Sequence, residues 1–172
     1  MRMVPFLAVA ALTIGAAACG SSSPSSPSDP NTVKFAVTTL PSNEVPPVTG
    51  PESTGSGTMT ITFHLTKDAA GNVTSATADF NGTFSGFPAG TTLTGAHVHT
   101  GAAGVNGGIV ISTGITAGEI AFANGSGTLV KNGVAVTGDV ATGIINNPSG
   151  YYFNIHTDAN RGGVARGQLV KQ

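Results

Sequence analysis

Apolar and polar positions alternate along most of this chain with a period of two. Val33, Phe35 and Val37 are separated by polar or small residues through Leu40. From Gly57 onward, Met59, Ile61, Phe63 and Leu65 fall on one face, with Thr58, Thr60, Thr62 and His64 on the other. That pattern marks half-buried β-strands. Asp68 to Asn72 reads as a hairpin loop, and residues 73–84 as the returning strand or strand pair. Further strands are predicted over 92–100, 109–111, 120–122, 128–131, 151–157 and 164–170. Asn132-Gly133, set between apolar residues, predicts a type I′ hairpin.

Two stretches break the alternation. Pro41, Pro46 and Pro47 remove backbone donors and fix φ, so residues 43–48 are expected to be extended or polyproline-like. From Thr137 to Asn147 the spacing of Val140, Ile144 and Ile145 becomes helical. Thr137 is the candidate N-cap and Pro148 the stop, so a short helix is expected near 138–146. Roughly eight short strands with Gly-rich turns and one short helix predict an all-β sandwich or Greek-key barrel.

Composition agrees with this and removes some functions. Only 9% of residues are charged, net charge is −1 and Trp is absent. There is no basic cluster for nucleic acid, and the few aromatics argue against a stacking platform for bases or sugars.

The N-terminus changes the picture of placement. Met1-Arg2-Met3 and the apolar run 4–18 read as an export signal, too short to span a bilayer. Ala16-Ala17-Ala18-Cys19 resembles the lipobox of bacterial lipoproteins, although that pattern prefers Leu where Ala16 stands. Cys19 would be lipidated and become the mature N-terminus, since it is the one Cys in the chain. Gly20 lacks the Asp associated with inner-membrane retention, so an outer-membrane destination is expected if the source has two membranes. Residues 19–31 read as a Ser/Pro-rich tether. Residues 32–172 then form one extracytoplasmic domain, joined to the membrane through lipid.

The chemistry gathers around Gly95-Ala96-His97-Val98-His99-Thr100-Gly101, followed by Asn106-Gly107-Gly108. His97 and His99 leave one face of a strand about 7 Å apart, from two steps of ~3.3 Å. Asn154-Ile155-His156-Thr157-Asp158, followed by Gly162-Gly163, echoes that arrangement. Two readings compete. In the first, each His caps the adjacent loop through its imidazole, Thr100 and Thr157 assist through their hydroxyls, and the paired glycines supply positive φ. In the second, His97, His99 and His156 hold one copper or zinc ion and leave a coordination position open. The second requires three imidazole nitrogens within about 4 Å of one another, and it fails if His156 faces away. Asp158 is the nearest carboxylate in sequence for an outer-shell role. His64 is expected at the surface.

The same motifs carry a family resemblance. Asn43-Glu44-Val45-Pro46-Pro47-Val48, the His97/His99 stretch, Asn106-Gly107-Gly108, Tyr152-Phe153-Asn154-Ile155-His156-Thr157 and Arg166-Gly167-Gln168-Leu169 occur in the order seen in the CHRD domain. That module is named from chordin and occurs widely in secreted microbial proteins. The resemblance spans about residues 33–170. It implies an immunoglobulin-like β fold and extracytoplasmic placement, without supplying a reaction. Arg161 stands where the family has Pro, and Val164-Ala165 where it has a Glu-containing pair, so no acidic role is expected there. His97, His99 and His156 also resemble three copper ligands of the copper/zinc superoxide dismutases. The bridging His, the zinc loop and the disulfide of that pattern are missing.

Other features are weaker. Glu44-Val45-Pro46-Pro47 could offer a polyproline ligand to a partner, but more simply carries the chain across a sandwich edge. Arg166 is expected to form a structural bridge with Glu44 or Asp158. Nothing around Glu44 and Asp158 supports a glycosidase pair. The sequence therefore favours a lipid-anchored, non-catalytic module that binds an unidentified protein or polymer or serves the cell envelope, with no cofactor. The alternative is a single-metal module centred on the three histidines.

Overall fold

The computed structural model describes Met1 and residues 29–172. The export signal, Cys19 and most of the Ser/Pro tether lie outside the described residues. Two antiparallel sheets face each other. The first has the order β10-β1-β2-β3-β7, built from β1 (Thr32–Thr39), β2 (Ser56–Lys67), β3 (Val73–Ser85), β7 (Gly127–Thr137) and β10 (Val170–Lys171). The second has the order β5-β4-β8-β9, with β6 paired to β4. Its strands are β4 (Thr91–Thr100), β5 (Ile109–Ser112), β6 (Ala121–Phe122), β8 (Tyr151–Thr157) and β9 (Ala165–Gln168).

The period-two pattern explains the layering. Phe35, Met59, Ile61, Phe63 and Phe80 of the first sheet are buried against Leu93, Ala96, Val98, Phe153 and Ile155 of the second. Phe80 and Phe153 meet across the layers at 6.0 Å between ring centroids. Burying each such side chain contributes about 1.5–3 kcal/mol. The threonines opposite them face water, and Thr58 meets Thr83 at 3.2 Å on the outer surface of the first sheet. His64 lies on that surface, 2.9 Å from Asp79 Oδ2.

Several expectations change in detail. Residues 73–85 form one unbroken strand. The helix α1 spans Gly138–Asn146, with Thr137 as an N-cap that makes no side-chain cap bond. Residues 164–170 split between sheets: β9 pairs with β8, and β10 crosses to β1. The Asn132-Gly133 hairpin does not form. β7 runs straight through, pairing Lys131 with Phe80 and Val134 with Ala78. The two residues form a bulge opposite Asp79, where Gly133 takes φ 68° and donates its N–H to Asp79 Oδ1 at 2.8 Å. Asn-Gly supplied the positive φ, but the long pairing with β3 decided its use: a bulge keeps the ladder that a turn would end.

Residues 43–48 show the expected extended backbone at Glu44, with φ −64° and ψ 159°. A short 3-10 turn over Pro41–Asn43 precedes them, and Val45–Pro46 is a cis peptide bond. The segment is a strap across the outer face of the second sheet. Asn106 Nδ2 donates to the Val45 carbonyl at 2.9 Å, fastening strap to loop. This covering explains why β8 is buried on both faces.

Candidate functional site

The covered face of the second sheet carries the histidines. On β4, Gly95, His97 and His99 share that face, and on β8 so do Tyr152, Asn154 and His156. The register sets Gly95 against His156, His97 against Asn154 and His99 against Tyr152. His156 therefore turns toward the pair. The ring centroids of His97 and His156 lie 4.9 Å apart, and those of His97 and His99 5.7 Å apart. One nitrogen from each of the three rings falls within 4.8 Å of the other two. This is wider than the ~4 Å spanned by two metal–nitrogen bonds of ~2.0–2.1 Å, so a shared ion would draw the rings inward.

The loop-capping expectation is met by two of the three. The Nδ1 of His99 lies 3.1 Å from the Gly107 carbonyl, and the Nδ1 of His156 lies 3.0 Å from the Arg161 carbonyl. A carbonyl only accepts, so each Nδ1 carries the proton and donates it, leaving Nε2 with a free lone pair. Both Nε2 atoms are buried without a hydrogen-bond partner, as is Nδ1 of His97. Burial holds all three imidazoles below their ordinary pKa. For His97, desolvation and the neighbouring His156 and His99 bring it down to about 4. Desolvation also dominates at His99, with Arg166 adding to it, and at His156, with His99 adding to it. At neutral pH the cluster is thus three uncharged imidazoles with unused lone pairs.

The loops behind them work differently from expectation. Thr157 donates from its hydroxyl to Glu52 Oε2 at 2.8 Å, and Asn160 Nδ2 reaches the same oxygen at 2.6 Å. Thr100 contributes its backbone instead, N–H to the Gly108 carbonyl at 2.9 Å. Of the four paired glycines, only Gly163 has positive φ, at 137°. Gly107 is required by space: a Cβ there would overlap the Thr100 carbonyl. Gly108 and Gly162 have open space around them. The carboxylate behind His156 is Glu52, 7% exposed. Sequence reasoning missed it, because it lies more than a hundred residues away in the chain. Asp158 turns outward to Arg161, at 2.7 Å.

Arg166 sits one strand further on and is 2% exposed. Its guanidinium stacks over Tyr152 at 4.5 Å, and Tyr152 stacks on His99 at 4.9 Å with the rings nearly parallel. Arg166 Nε donates to the Asn43 carbonyl at 2.7 Å, and Nη1 to Asn106 Oδ1 at 2.7 Å. Glu44 Oε2 lies 3.9 Å from Nε, so Arg166 bridges to Glu44 and not to Asp158. Burial outweighs that positive charge and raises the Glu44 carboxyl to about 7. Gly167 lets β9 lie close to β1, since a Cβ there would overlap the Thr38 carbonyl. Pro46 and Pro47 line a groove of about 420 Å³ with Glu44, Asn106 and Gly163.

Neither a curated protein nor a solved structure matches the chain. A family model described as the CHRD domain matches residues 35–169. That span takes in both sheets, the strap and all three converging histidines, and the chain belongs to the CHRD-domain family.

Proposed function

We propose that the domain is a metal-binding module in which His97, His99 and His156 hold a single copper or zinc ion. The observation that carries this reading is a cluster in which one nitrogen of each ring lies within 4.8 Å of the other two, and in which Nδ1 of His97 and Nε2 of His99 and His156 are buried without hydrogen-bond partners. Loop capping accounts for the Nδ1 atoms of His99 and His156 and leaves both Nε2 lone pairs and Nδ1 of His97 without partners. Burying polar atoms without partners costs about 1–3 kcal/mol each, and an ion would satisfy all three at once. The donor set fits copper or zinc: uncharged borderline nitrogens, with two rings fixed in tautomer and direction by backbone carbonyls. Three protein ligands leave a position open for water or a small ligand.

The same proposal keeps the domain outside the cytoplasm, tethered by lipid on Cys19. That placement rests on the N-terminal pattern, and labelling with a radioactive fatty acid, wild type against Cys19→Ser, tests it.

Elemental analysis after loading with copper or zinc and extensive desalting tests the metal. Near-stoichiometric ion is expected in the wild type and none above background in the His97→Ala/His99→Ala variant. Equal metal content in the two proteins would sink the reading.

A further inference from the structure

Gly95 has no side chain at a place where the strand ladder would otherwise put one among the rings. It shares the covered face of β4 with His97 and His99, and pairs directly with His156 on β8. A Cβ built on Gly95 would lie 2.9 Å from His97 Cε1, 3.4 Å from His97 Nε2 and 3.8 Å from His156 Cδ2. The first of these is closer than real Cβ atoms come to a neighbour. Cε1 is bonded to both ring nitrogens, so a push there displaces both, including the buried, unpartnered Nδ1. The backbone at Gly95 is not in the left-handed region. What a side chain at Gly95 would disturb is therefore the space around the rings, by displacing the end of His97, and not φ.

We infer that Gly95 is a positioning residue for the metal centre: its missing Cβ makes the room in which the His97 and His156 rings lie together with their nitrogens on one point. This rests on the metal reading above. The two histidines come from different strands, 4.9 Å apart between centroids. The smallest side chain there would press on His97 while meeting His156 at ordinary contact distance, and so would shift one ring against the other. The space at Gly95 thus sets the separation of two donors without contributing a donor itself.

The test is a double-mutant cycle on the full chain, Gly95→Ala crossed with His97→Ala. Copper(II) affinity, the electron paramagnetic resonance spectrum of the copper(II) form and urea unfolding of the metal-free protein are measured. Gly95→Ala is expected to weaken copper binding by about tenfold or more, the scale of outer-shell changes, and to alter the spectrum. It should also lower the urea midpoint when residue 97 is His, but not when it is Ala. Wild-type affinity and spectrum in Gly95→Ala would overturn the inference and leave the metal reading standing. So would an equal loss of urea midpoint in both backgrounds. If Gly95→Ala alone does not fold, recovery of folding in the double variant supports the inference, and failure to recover overturns it. A wild-type protein that binds neither copper nor zinc removes the metal reading, and the inference with it.

Discussion

His99 and His156 address the same kind of atom in two different loops. The Nδ1 of one donates to the Gly107 carbonyl at 3.1 Å, and that of the other to the Arg161 carbonyl at 3.0 Å. Each bond spans only a few residues, so each loop holds the ring that starts it. The two loops turn the Nε2 atoms inward from opposite sides. Loop capping therefore does not compete with the proposed metal binding, because it uses the Nδ1 atoms and leaves Nε2 free.

The carbonyl of Arg161 is held by the turn that Glu52 anchors through Thr157 and Asn160. Glu52→Gln weakens both bonds and loosens His156 without touching it. Copper or zinc affinity is expected to fall about tenfold, within the range for outer-shell partners, with the fold retained. Competition with a chromophoric chelator, alongside the far-ultraviolet circular dichroism spectrum, checks this.

The twin glycines of each loop are not equivalent. Gly107→Ala drives a Cβ into the Thr100 carbonyl, whereas Gly108→Ala enters open space. The first is expected to cost about 3 kcal/mol, at the high end for a single substitution, and the second within about 0.5 kcal/mol of nothing. Gly163→Ala and Gly162→Ala should repeat the contrast, since only Gly163 has positive φ and crowds Asn154. Urea unfolding of the four variants gives the comparison.

Arg166→Met leaves Glu44 buried beside no positive charge and strips the acceptors Asn43 and Asn106 of their donor. A loss of about 3 kcal/mol is expected, the scale for breaking a buried pair from one side. Arg166→Lys keeps the charge but not the planar stack on Tyr152 or the forked bonds, and is expected to recover only part of the loss. Thermal unfolding at fixed pH measures both.

The metal-free protein should show opposed contributions to its pH dependence. His97 is depressed from its ordinary value near 6.5 to about 4. Its contribution to stability is present above pH ~6.5 and is lost as pH falls toward 4. Glu44 is raised from 4.5 to about 7, so its contribution is present below pH 4.5 and is lost as pH rises through 7. Between about pH 4.5 and 6.5 the two slopes oppose each other. In Glu44→Gln only the histidine slope remains, and stability is expected to fall on acidification through that window. Unfolding midpoints at half-unit pH intervals, wild type against variant, decide it; identical profiles would remove Glu44 as a titrating group.

Local alternation was enough to read β1 and β2, because each buries one face and its apolar residues recur every second position. Helix α1 was legible from the changed spacing at Val140 and Ile144. The histidine cluster was legible as a pair plus an echo, since strand geometry fixes where His97 and His99 point. What brought His156 to them was the β4–β8 register, a long-range pairing that spacing does not contain. Glu52 was invisible for the same reason, lying in the turn Pro51–Thr54, which reaches the β8 loop only through the fold. Asn132-Gly133 misled because a short signal permits positive φ without saying whether the chain turns or bulges there.

That bulge has a consequence for how the molecule meets others of its kind. β7 is an outer strand of its sheet, with Val130 half-exposed along it. A straight edge of this length invites a neighbouring chain to add a strand. At Asn132-Gly133 the repeat of outward backbone groups is interrupted, and the Gly133 N–H is turned inward to Asp79. An incoming strand could match the ladder on one side of the interruption but would be out of step on the other. The chain thus carries, in two residues, a guard against edge-to-edge aggregation.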